Sequence, residues 1–470
     1  MIGDLAPFFA EIVVLAACIV SLTAGLYRSV RGAAGRIVFA GLAAAFVLTL
    51  ITPVSNEARL LKGVLFVSDH FARNVKLLIL AGTVFSLAFG LDWLAYKKYR
   101  RYEFPALLGL SAFGMMTAVS AGNFLTQFLG LEIAQAPLSF LAAFKKSGDR
   151  STEAGVKFVI ASLLGSGLWL FGMSVIYAVS GTSDFKEIAA IDKTAVMPAM
   201  LFGLSFLTVG AFIRIGVVPF HFWLPDVYEG APSPVTAFFG LCARVAFMAC
   251  FVRLVAEPFA GLTFFWYPVL SVAAVLSVVG GALGMLTQRN FKRLAAYAMI
   301  TANGFSLAAL SVGNRVAFTF YTVVDGFAAV GLFAIMLSLR VGDALGEDVS
   351  LLNGQGREKP VRGALFSLVF FSLSGLPPFS GFWAIIAVAA ALFSKNCFFV
   401  SAVLMIGTLI PAYVFLKLVR QMYFTPASEK LLPAPKPMKI ALLLSAGAAI
   451  SLPLLLEHLA RFAAKAAGLY

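Results

Sequence analysis

The stretch LTVGAFIRIGVVPFHFW (Leu207–Trp223) combines a long apolar run with one arginine and a helix-breaking proline. Pro219 has no backbone N–H, so it opens the hydrogen-bond ladder of any helix that contains it. A second apolar segment, SLSGLPPFSGFW (Ser372–Trp383), is interrupted by Pro377 and Pro378. Within a membrane such breaks persist only where they line a cavity or are packed in protein. Two interrupted segments, one in each half of the chain, indicate a transporter built from inverted repeats.

The whole chain is too apolar for a water-soluble protein. Of its 470 residues, 61% are hydrophobic and 12% are charged, whereas soluble domains carry about a quarter charged residues. Apolar runs of about 20 residues recur, each long enough to cross a bilayer core. We therefore interpret the net charge of +14 as Lys and Arg that flank membrane spans. We predict a lipid bilayer as the environment and no nucleic-acid partner.

The apolar runs predict about fourteen membrane-spanning helices and no soluble domain. Lys and Arg cluster in alternate loops, for example in Arg28–Arg36, Lys97–Arg101 and Lys145–Lys157. If these loops are cytoplasmic, both termini face the periplasm. The predicted spans are residues 5–26, 36–54, 75–95, 103–120, 123–144, 157–180, 197–218, 233–255, 264–286, 291–312, 316–340, 363–391, 397–422 and 438–460.

The sequence contains no motif for a bound cofactor or metal. Neither a G-x-G-x-x-G run before a helix nor a Walker motif is present. The histidines are too scattered to indicate a metal site, and we interpret the cysteines as buried small hydrophobic side chains. Any redox chemistry that the chain serves is therefore expected in a partner chain. The histidines are His70, His221 and His458, and the cysteines are Cys18, Cys242, Cys250 and Cys397.

Several charges fall inside the predicted spans, where a charge is expensive and is a functional candidate by default. Glu132 lies in LTQFLGLEIAQAPLSFL, Arg214 lies in the stretch quoted first, and Arg244 lies in FFGLCARVAFMACF. Lys292 and Arg293 open a span in RNFKRLAAYAMITANG. These charges recur along the middle of the chain at about one per span.

Two interpretations of these charges stay open. A carboxylate at mid-membrane depth favours its neutral form unless a cation lies nearby, so Arg214 could hold Glu132 ionised within a proton path. The same two residues could instead form a static ion pair that fixes helix packing. For Arg244 and Arg253 the alternative to a functional role is a side chain that extends toward the membrane interface.

The run VPFHFWLPDVYEGAPSPVTAFF (Val218–Phe239) resembles the signature of the proton-conducting membrane transporter family. This family holds the antiporter-like subunits of respiratory complex I and the Mrp-type sodium/proton antiporter subunits. Further stretches resemble the subunit N branch of the family. They are YEFPALLGLSAFGMM (Tyr102–Met116), LGLEIAQAPLSFLAAF (Leu129–Phe144), RSTEAGVKF (Arg150–Phe158), NFKRLAAYAMI (Asn290–Ile300) and SGLPPFSGF (Ser374–Phe382).

The resemblance implies an all-α polytopic membrane protein with about 14 transmembrane helices and two five-helix inverted repeats, each with a broken helix. It divides the chain into residues 1–100 (helices 1–3), 101–256 (first repeat), 257–424 (second repeat) and 425–470 (a C-terminal helix). It also implies a membrane-arm subunit of a proton-translocating NADH–quinone oxidoreductase in a bacterial inner membrane. The expected partners are other membrane-arm subunits and a peripheral arm. NADH, FMN, iron–sulfur clusters and quinone would be bound by partner subunits, so this chain by itself would catalyse no redox step.

In the family, a glutamate, buried lysines and water form a proton path along the middle of the membrane. The resemblance places the glutamate at Glu132 and a lysine at Lys292, but it puts arginine at two lysine positions, Arg214 and Arg244. The lysine that usually follows the double proline is replaced by Ile385, and a frequent histidine of the tenth span is replaced by Ala302.

A buried lysine can release its proton, whereas a guanidinium stays charged. Two hypotheses therefore follow for this chain. It is either a working proton channel in which the arginines act as fixed charges, or a degenerate scaffold subunit. A cation/proton antiporter and a membrane-bound hydrogenase subunit are the alternatives from other functional classes.

Overall fold

The chain folds almost entirely into α-helices, because an apolar segment in a bilayer must satisfy its backbone hydrogen bonds internally. The computed structural model describes most of the chain but not every residue. The described residues are 8–27, 31–52, 54, 58–60, 63–96, 101–145, 148–192, 196–341, 344–427, 429, 431–455, 458, 460, 461, 463 and 464. They form two compact units: unit 1 comprises Met1–Gly216 and Gly230–Leu262, and unit 2 comprises Val217–Glu229 and Thr263–Tyr470.

Unit 1 contains the helices of the N-terminal half and one small hairpin. The helices are α1 (Phe9–Leu26), α2 (Ala34–Ile51), α3 (His70–Tyr96), α4 (Glu103–Val119), α5 (Phe124–Ala142), α6 (Asp149–Ser180), α7 (Phe185–Ala190), α8 (Met197–Ile215), α10 (Ser233–Phe238) and α11 (Arg244–Ala256). A π-helical turn, Phe239–Ala243, joins α10 to α11. Strands β1 (Ala58–Leu60) and β2 (Gly63–Phe66) pair antiparallel.

Unit 2 begins with the segment that contains α9 (Trp223–Gly230) and continues with the helices of the C-terminal half. These are α12 (Thr263–Leu286), α13 (Phe291–Ser311), α14 (Arg315–Ser338), α15 (Gln355–Glu358), α16 (Pro360–Leu373), α17 (Ser380–Phe393), α18 (Phe398–Gly407), α19 (Leu409–Phe424) and α20 (Lys436–Leu454). Strands β3 (Arg340–Val341) and β4 (Ala344–Leu345) form a second antiparallel pair.

Both segments with a predicted break are interrupted helices. Helix α8 ends before Gly216, whose φ of 79° is a left-handed conformation that glycine adopts without a Cβ clash. Residues 374–379 separate α16 from α17. Serine side chains supply hydrogen bonds at both breaks: Ser277 Oγ accepts from Val218 N over 3.1 Å, and the hydroxyls of Ser372 and Ser380 lie 3.0 Å apart. The Ser277 contact satisfies a backbone N–H at the first break, and the serine pair joins the two helix ends at the second.

Glycines allow neighbouring helices to approach closely. Where α4 crosses α5, a Cβ on Gly114 would lie 2.4 Å from Ala134 N, and a Cβ on Gly130 would lie 2.5 Å from Ala118 N. In unit 2, a Cβ on Gly281 of α12 would lie 2.5 Å from the Thr301 hydroxyl of α13. Small residues at helix crossings are typical of membrane bundles, where packing rather than exclusion from water drives association.

The predicted fold class is confirmed. Within the described residues, eleven helices are long and apolar enough to cross a membrane, and the shorter apolar helices α4, α16 and α17 accompany them. The predicted span 397–422 is divided at Thr408 into α18 and α19, because Pro411 cannot donate a hydrogen bond to Gly407 four residues earlier.

Parts of the sequence analysis stay predictions. They include the four-part domain division and the periplasmic placement of both termini. The first seven and the last six residues lie outside the described residues, as do Arg28, Lys97, Lys98, Arg100, Lys146 and Lys430, which contributed to the charge pattern of the loops.

Candidate functional site

Glu132 and Arg214 form a direct ion pair in unit 1. Arg214 Nη2 lies 2.7 Å from Glu132 Oε1. Ser166 joins the two: its hydroxyl donates to Glu132 Oε1 over 2.6 Å and accepts from Arg214 Nη2 over 2.9 Å. The structure thus brings together two residues that lie 82 positions apart in the sequence, and it adds a serine that the sequence analysis missed.

Three helices position this cluster: α5 carries Glu132, α6 carries Ser166 and α8 carries Arg214. Arg214 lies in the last turn of α8, just before the left-handed Gly216 ends the helix. Gly165 leaves room for the arginine stem, since a Cβ there would lie 3.3 Å from Arg214 Cγ. The guanidinium carbon lies 5.7 Å from the centre of the Trp169 ring, a cation–π arrangement that favours a charged group with little hydration.

The two side chains differ in exposure and in their capacity to bind a proton. The side chain of Arg214 is 2% exposed, whereas that of Glu132 is 35% exposed. The guanidinium keeps its charge, so only Glu132 can bind and release a proton. The cluster is therefore neutral when Glu132 is ionised and carries a charge of +1 when Glu132 is protonated. Among the described residues, Arg214 Nε and Nη1 have no hydrogen-bond acceptor.

Arg244 is the first residue of α11 and follows the π-helical turn directly. Its side chain is buried, and its Nε donates to Gly240 O over 3.3 Å within the same helical segment. Single π-helical turns within α-helices occur frequently at functional sites, because they displace the register of the following side chains. The geometry therefore places a permanent cation at an irregular point of a fully buried helix.

Lys292 lies in a different cluster, within unit 2. Its Nζ is 2.6 Å from Glu347 Oε1 and donates to Glu229 O over 3.2 Å. The adjacent Arg293 donates from Nη1 to Asp226 Oδ1 and to Glu229 Oε2, each over 2.8 Å. Lys292 is in the first turn of α13, at the end of the helix rather than at its centre.

The acidic partners of this second cluster come from α9 and from a loop. Asp226 and Glu229 belong to the run PDVYEG within the stretch that suggested the family, and Glu347 follows the second hairpin. No role was predicted from the sequence for Asp226, Glu229 or Glu347. The acidic residues of PDVYEG were a visible signal, whereas nothing in the sequence indicated that Glu347 pairs with Lys292.

The comparisons with known proteins agree with these observations. Residues 121–411 match the sequence model of a family described as NADH:quinone oxidoreductase/Mrp antiporter, transmembrane. The chain belongs to this NADH:quinone oxidoreductase/Mrp antiporter family. The resemblance drawn from the PFHFW and PDVYEGAP elements is thereby confirmed.

Relatives within the family are similar over almost the whole chain. NADH-quinone oxidoreductase subunit N of Rhodospirillum rubrum is 32% identical over 434 residues, which is 91% of this chain and 89% of the relative. Subunit N of Granulibacter bethesdensis is 38% identical over 393 residues, 82% of each chain. A chain of respiratory complex I from Thermus thermophilus with bound aureothin superposes with a TM-score of 0.82 at 27% identity, and the match covers 95% of this chain and 98% of that one.

Among the described residues of this family member, two further ion clusters with a buried basic side chain lie in unit 1. Lys76 Nζ lies 2.5 Å from Glu11 Oε1, and both side chains are buried. Arg253, 1% exposed, donates to both carboxylate oxygens of Asp69 over 2.9 and 3.0 Å and to Glu257 over 2.6 Å. Arg253 is thus held by carboxylates near the end of α11.

The cysteines of this family member form no disulfide. All four cysteines are free thiols, three of them buried and Cys397 half-buried. In the part of the chain that the structure describes, no three His, Cys, Asp or Glu side chains converge in a way that could hold a metal ion.

Proposed function

We propose that this chain is a membrane-arm subunit of a proton-translocating NADH–quinone oxidoreductase and that Glu132 exchanges protons in it. NADH oxidation and quinone reduction would take place in partner subunits that bind NADH, FMN, iron–sulfur clusters and quinone. The observation that carries the proposal is the hydrogen-bonded cluster of Glu132, Ser166 and Arg214, in a chain whose relatives are named NADH-quinone oxidoreductase subunit N.

The chemistry of the cluster suits reversible proton binding. Arg214 supplies a permanent positive charge that stabilises ionised Glu132 through a charge-assisted hydrogen bond. A proton that binds Glu132 removes the negative charge and leaves the buried cation unneutralised, which is unfavourable in a medium of low dielectric constant. Glu132 is therefore the member of the cluster that can exchange a proton, and Arg214 supplies a fixed charge beside it. Arg244 would add a second fixed charge.

The exposure of Glu132 supports a protein partner at this face of the chain. Residues 123–144 are predicted from the sequence to span the membrane, and a carboxylate that is 35% exposed on such a helix is unfavourable against lipid, so we infer that it faces protein or water. We infer that another membrane-arm subunit covers this face of α5 in a bacterial inner membrane.

A scaffold subunit is the second candidate, and the substitutions at the family's lysine positions favour it. Neither Arg214 nor Arg244 can release a proton, and Ile385 carries no ionisable group. In this case the Glu132–Arg214 pair would only hold α5 against α8, and the assembled complex would translocate protons through other chains.

The two candidates differ in the effect of Glu132→Gln. The tagged chain is purified in mild detergent to establish that NADH-oxidising subunits accompany it, and proton translocation per NADH oxidised is measured in membrane vesicles. We expect the proton-to-electron ratio to fall in Glu132→Gln, because the amide keeps the hydrogen bonds to Ser166 and Arg214 but cannot carry a proton.

The matched control is Glu153→Gln, which neutralises an exposed carboxylate on α6 that pairs with Lys157. It should leave the ratio and the amount of assembled complex unchanged, since surface ion pairs contribute about 0–1 kcal/mol. An unchanged ratio in Glu132→Gln, with normal assembly, would establish the scaffold instead.

A further inference from the structure

A small cavity lies within unit 2, between α12, α13, α14, α17 and two helix interruptions. Its volume is about 50 Å³, which exceeds the ~10–15 Å³ that one water molecule requires. One interruption is the α16–α17 break at Ser374, and the other is the α18–α19 junction at Thr408. The polar side chains that line the cavity are Thr301, Tyr321, Asp325, Ser374 and Thr408.

Asp325 contributes the carboxylate of this cavity. It is near the middle of α14, which spans Arg315–Ser338 and is long and apolar enough to cross the membrane. An acidic residue at that depth is expensive and is a functional candidate on that ground alone. Tyr321 precedes it by four residues and so lies on the same helix face, where its ring stacks on Phe305 at 5.5 Å between centroids.

The other polar groups can accept hydrogen bonds from a protonated carboxyl group or a water molecule. The hydroxyls of Thr301, Ser374 and Thr408 donate to backbone carbonyls of their own helical segments over 3.0, 2.6 and 2.6 Å. Each hydroxyl oxygen retains acceptor capacity after its hydrogen is used in this way. The cavity thus joins one group that can be ionised at neutral pH to a set of hydrogen-bond acceptors.

The remaining lining of the cavity is apolar. Ile385 of α17 and Ala302 of α13 both line it, and these are two of the positions at which the chain departs from the family pattern. Among the described residues that line the cavity, Asp325 and Tyr321 are the only ionisable ones. Asp325 is therefore the only carboxylate among the described residues of the lining that could take up a proton.

We propose that Asp325 is a proton-binding group of unit 2 and that it does there the work of the lysine missing at Ile385. The proposal rests on the proposed function of the chain in proton translocation. One proton adds to a carboxylate oxygen of Asp325 and gives a neutral carboxylic acid. The same proton later leaves to a water molecule that enters the cavity and restores the carboxylate, so that charge is conserved over the cycle.

The test is made on the assembled complex in membrane vesicles, with three variants. Asp325→Asn keeps the shape but cannot carry a proton, and we expect it to lower proton translocation per NADH oxidised. Asp325→Glu keeps the carboxyl group and should retain most of the proton translocation per NADH oxidised. Ile385→Lys, added to Asp325→Asn, places an ionisable group at another position of the cavity lining and should restore part of the loss. Glu153→Gln again serves as the control with an exposed carboxylate.

A spectroscopic measurement separates proton binding from a structural role. Infrared difference spectra of the complex, recorded across a pH series, should contain a carboxylic acid C=O band that is lost in Asp325→Asn. Identical spectra for the wild-type and variant complexes would overturn the proposal. A loss of assembled complex in Asp325→Asn and Asp325→Glu alike, with no restoration by Ile385→Lys, would also overturn it.

The failure of this inference is distinguishable from a failure of the proposed function. If NADH-oxidising subunits do not accompany the tagged chain, the proposed function fails whatever Asp325 does. If they do, and the wild-type complex translocates protons, an unchanged ratio in Asp325→Asn overturns only the role of Asp325.

Discussion

The two units place a membrane-embedded carboxylate in different surroundings. In unit 1, Glu132 lies 2.7 Å from the guanidinium of Arg214, which is always charged. In unit 2, Asp325 lines a cavity with hydroxyl groups, and no lysine or arginine is among the described residues of its lining. The basic residues of unit 2 that the sequence analysis emphasised, Lys292 and Arg293, instead pair with carboxylates at the start of α13.

This difference shows that charged side chains within the fold can have different roles. At the end of a helix, a basic residue that pairs with loop carboxylates connects segments of the fold. In the middle of a span, a carboxylate next to a fixed cation or next to a cavity large enough for water is suited to proton exchange. The following substitutions test that distinction, from the largest expected effect to the smallest.

The largest effect is expected from Arg214→Met. It removes the cation beside Glu132. Removing one partner of a buried ion pair lowers the free energy of unfolding by about 3–5 kcal/mol. We expect the lower end of that range because Glu132 is partly exposed. The midpoint temperature of thermal unfolding of the purified complex should fall, and so should the amount of complex in the membrane. Arg214→Lys keeps the charge and is the control, so equal destabilisation by both variants would show that packing on Trp169, rather than charge, holds the site.

Lys292→Met should have an intermediate effect in unit 2. It removes the contacts to Glu347 and to Glu229 O, and because Glu347 is partly exposed we expect a loss of about 1–2 kcal/mol in the free energy of unfolding. If the cluster only connects α13 to the neighbouring loops, as its position suggests, the proton-to-electron ratio stays constant.

Lys292→Arg sharpens this test, because arginine preserves the positive charge but cannot release a proton. A stable Lys292→Arg complex with a lowered ratio would assign Lys292 to the proton path, which is the role predicted from the sequence.

The smallest effect is expected from Ser166→Ala. It removes the bridging hydroxyl but leaves the direct Glu132–Arg214 contact, so we expect a loss of about 1 kcal/mol in the free energy of unfolding and a smaller fall in proton translocation than in Glu132→Gln. A fall as large as that of Glu132→Gln would show that the hydroxyl itself transfers the proton.

Much of the fold could be predicted from local sequence. The membrane spans follow from apolar length, and the breaks at Pro219 and at Pro377–Pro378 follow from the missing backbone donors. The division at Thr408 was missed although Pro411 was visible, because the apolar run continues through it. Glu132 and Arg214 could be selected as candidates because a charge in an apolar run is rare and expensive.

The sequence alone thus determined the membrane environment, the helical architecture and the family, because hydropathy, proline positions and the PFHFW and PDVYEGAP elements are local properties. Only the tertiary structure decided which charges meet. The contacts of Arg214 with Ser166 and of Lys292 with Glu347 join distant segments, and the cavity at Asp325 forms where several helices and two helix interruptions come together. Such encounters depend on how the helices cross, and helix crossing is set by small residues and packing that leave no pattern at the position of the charge itself.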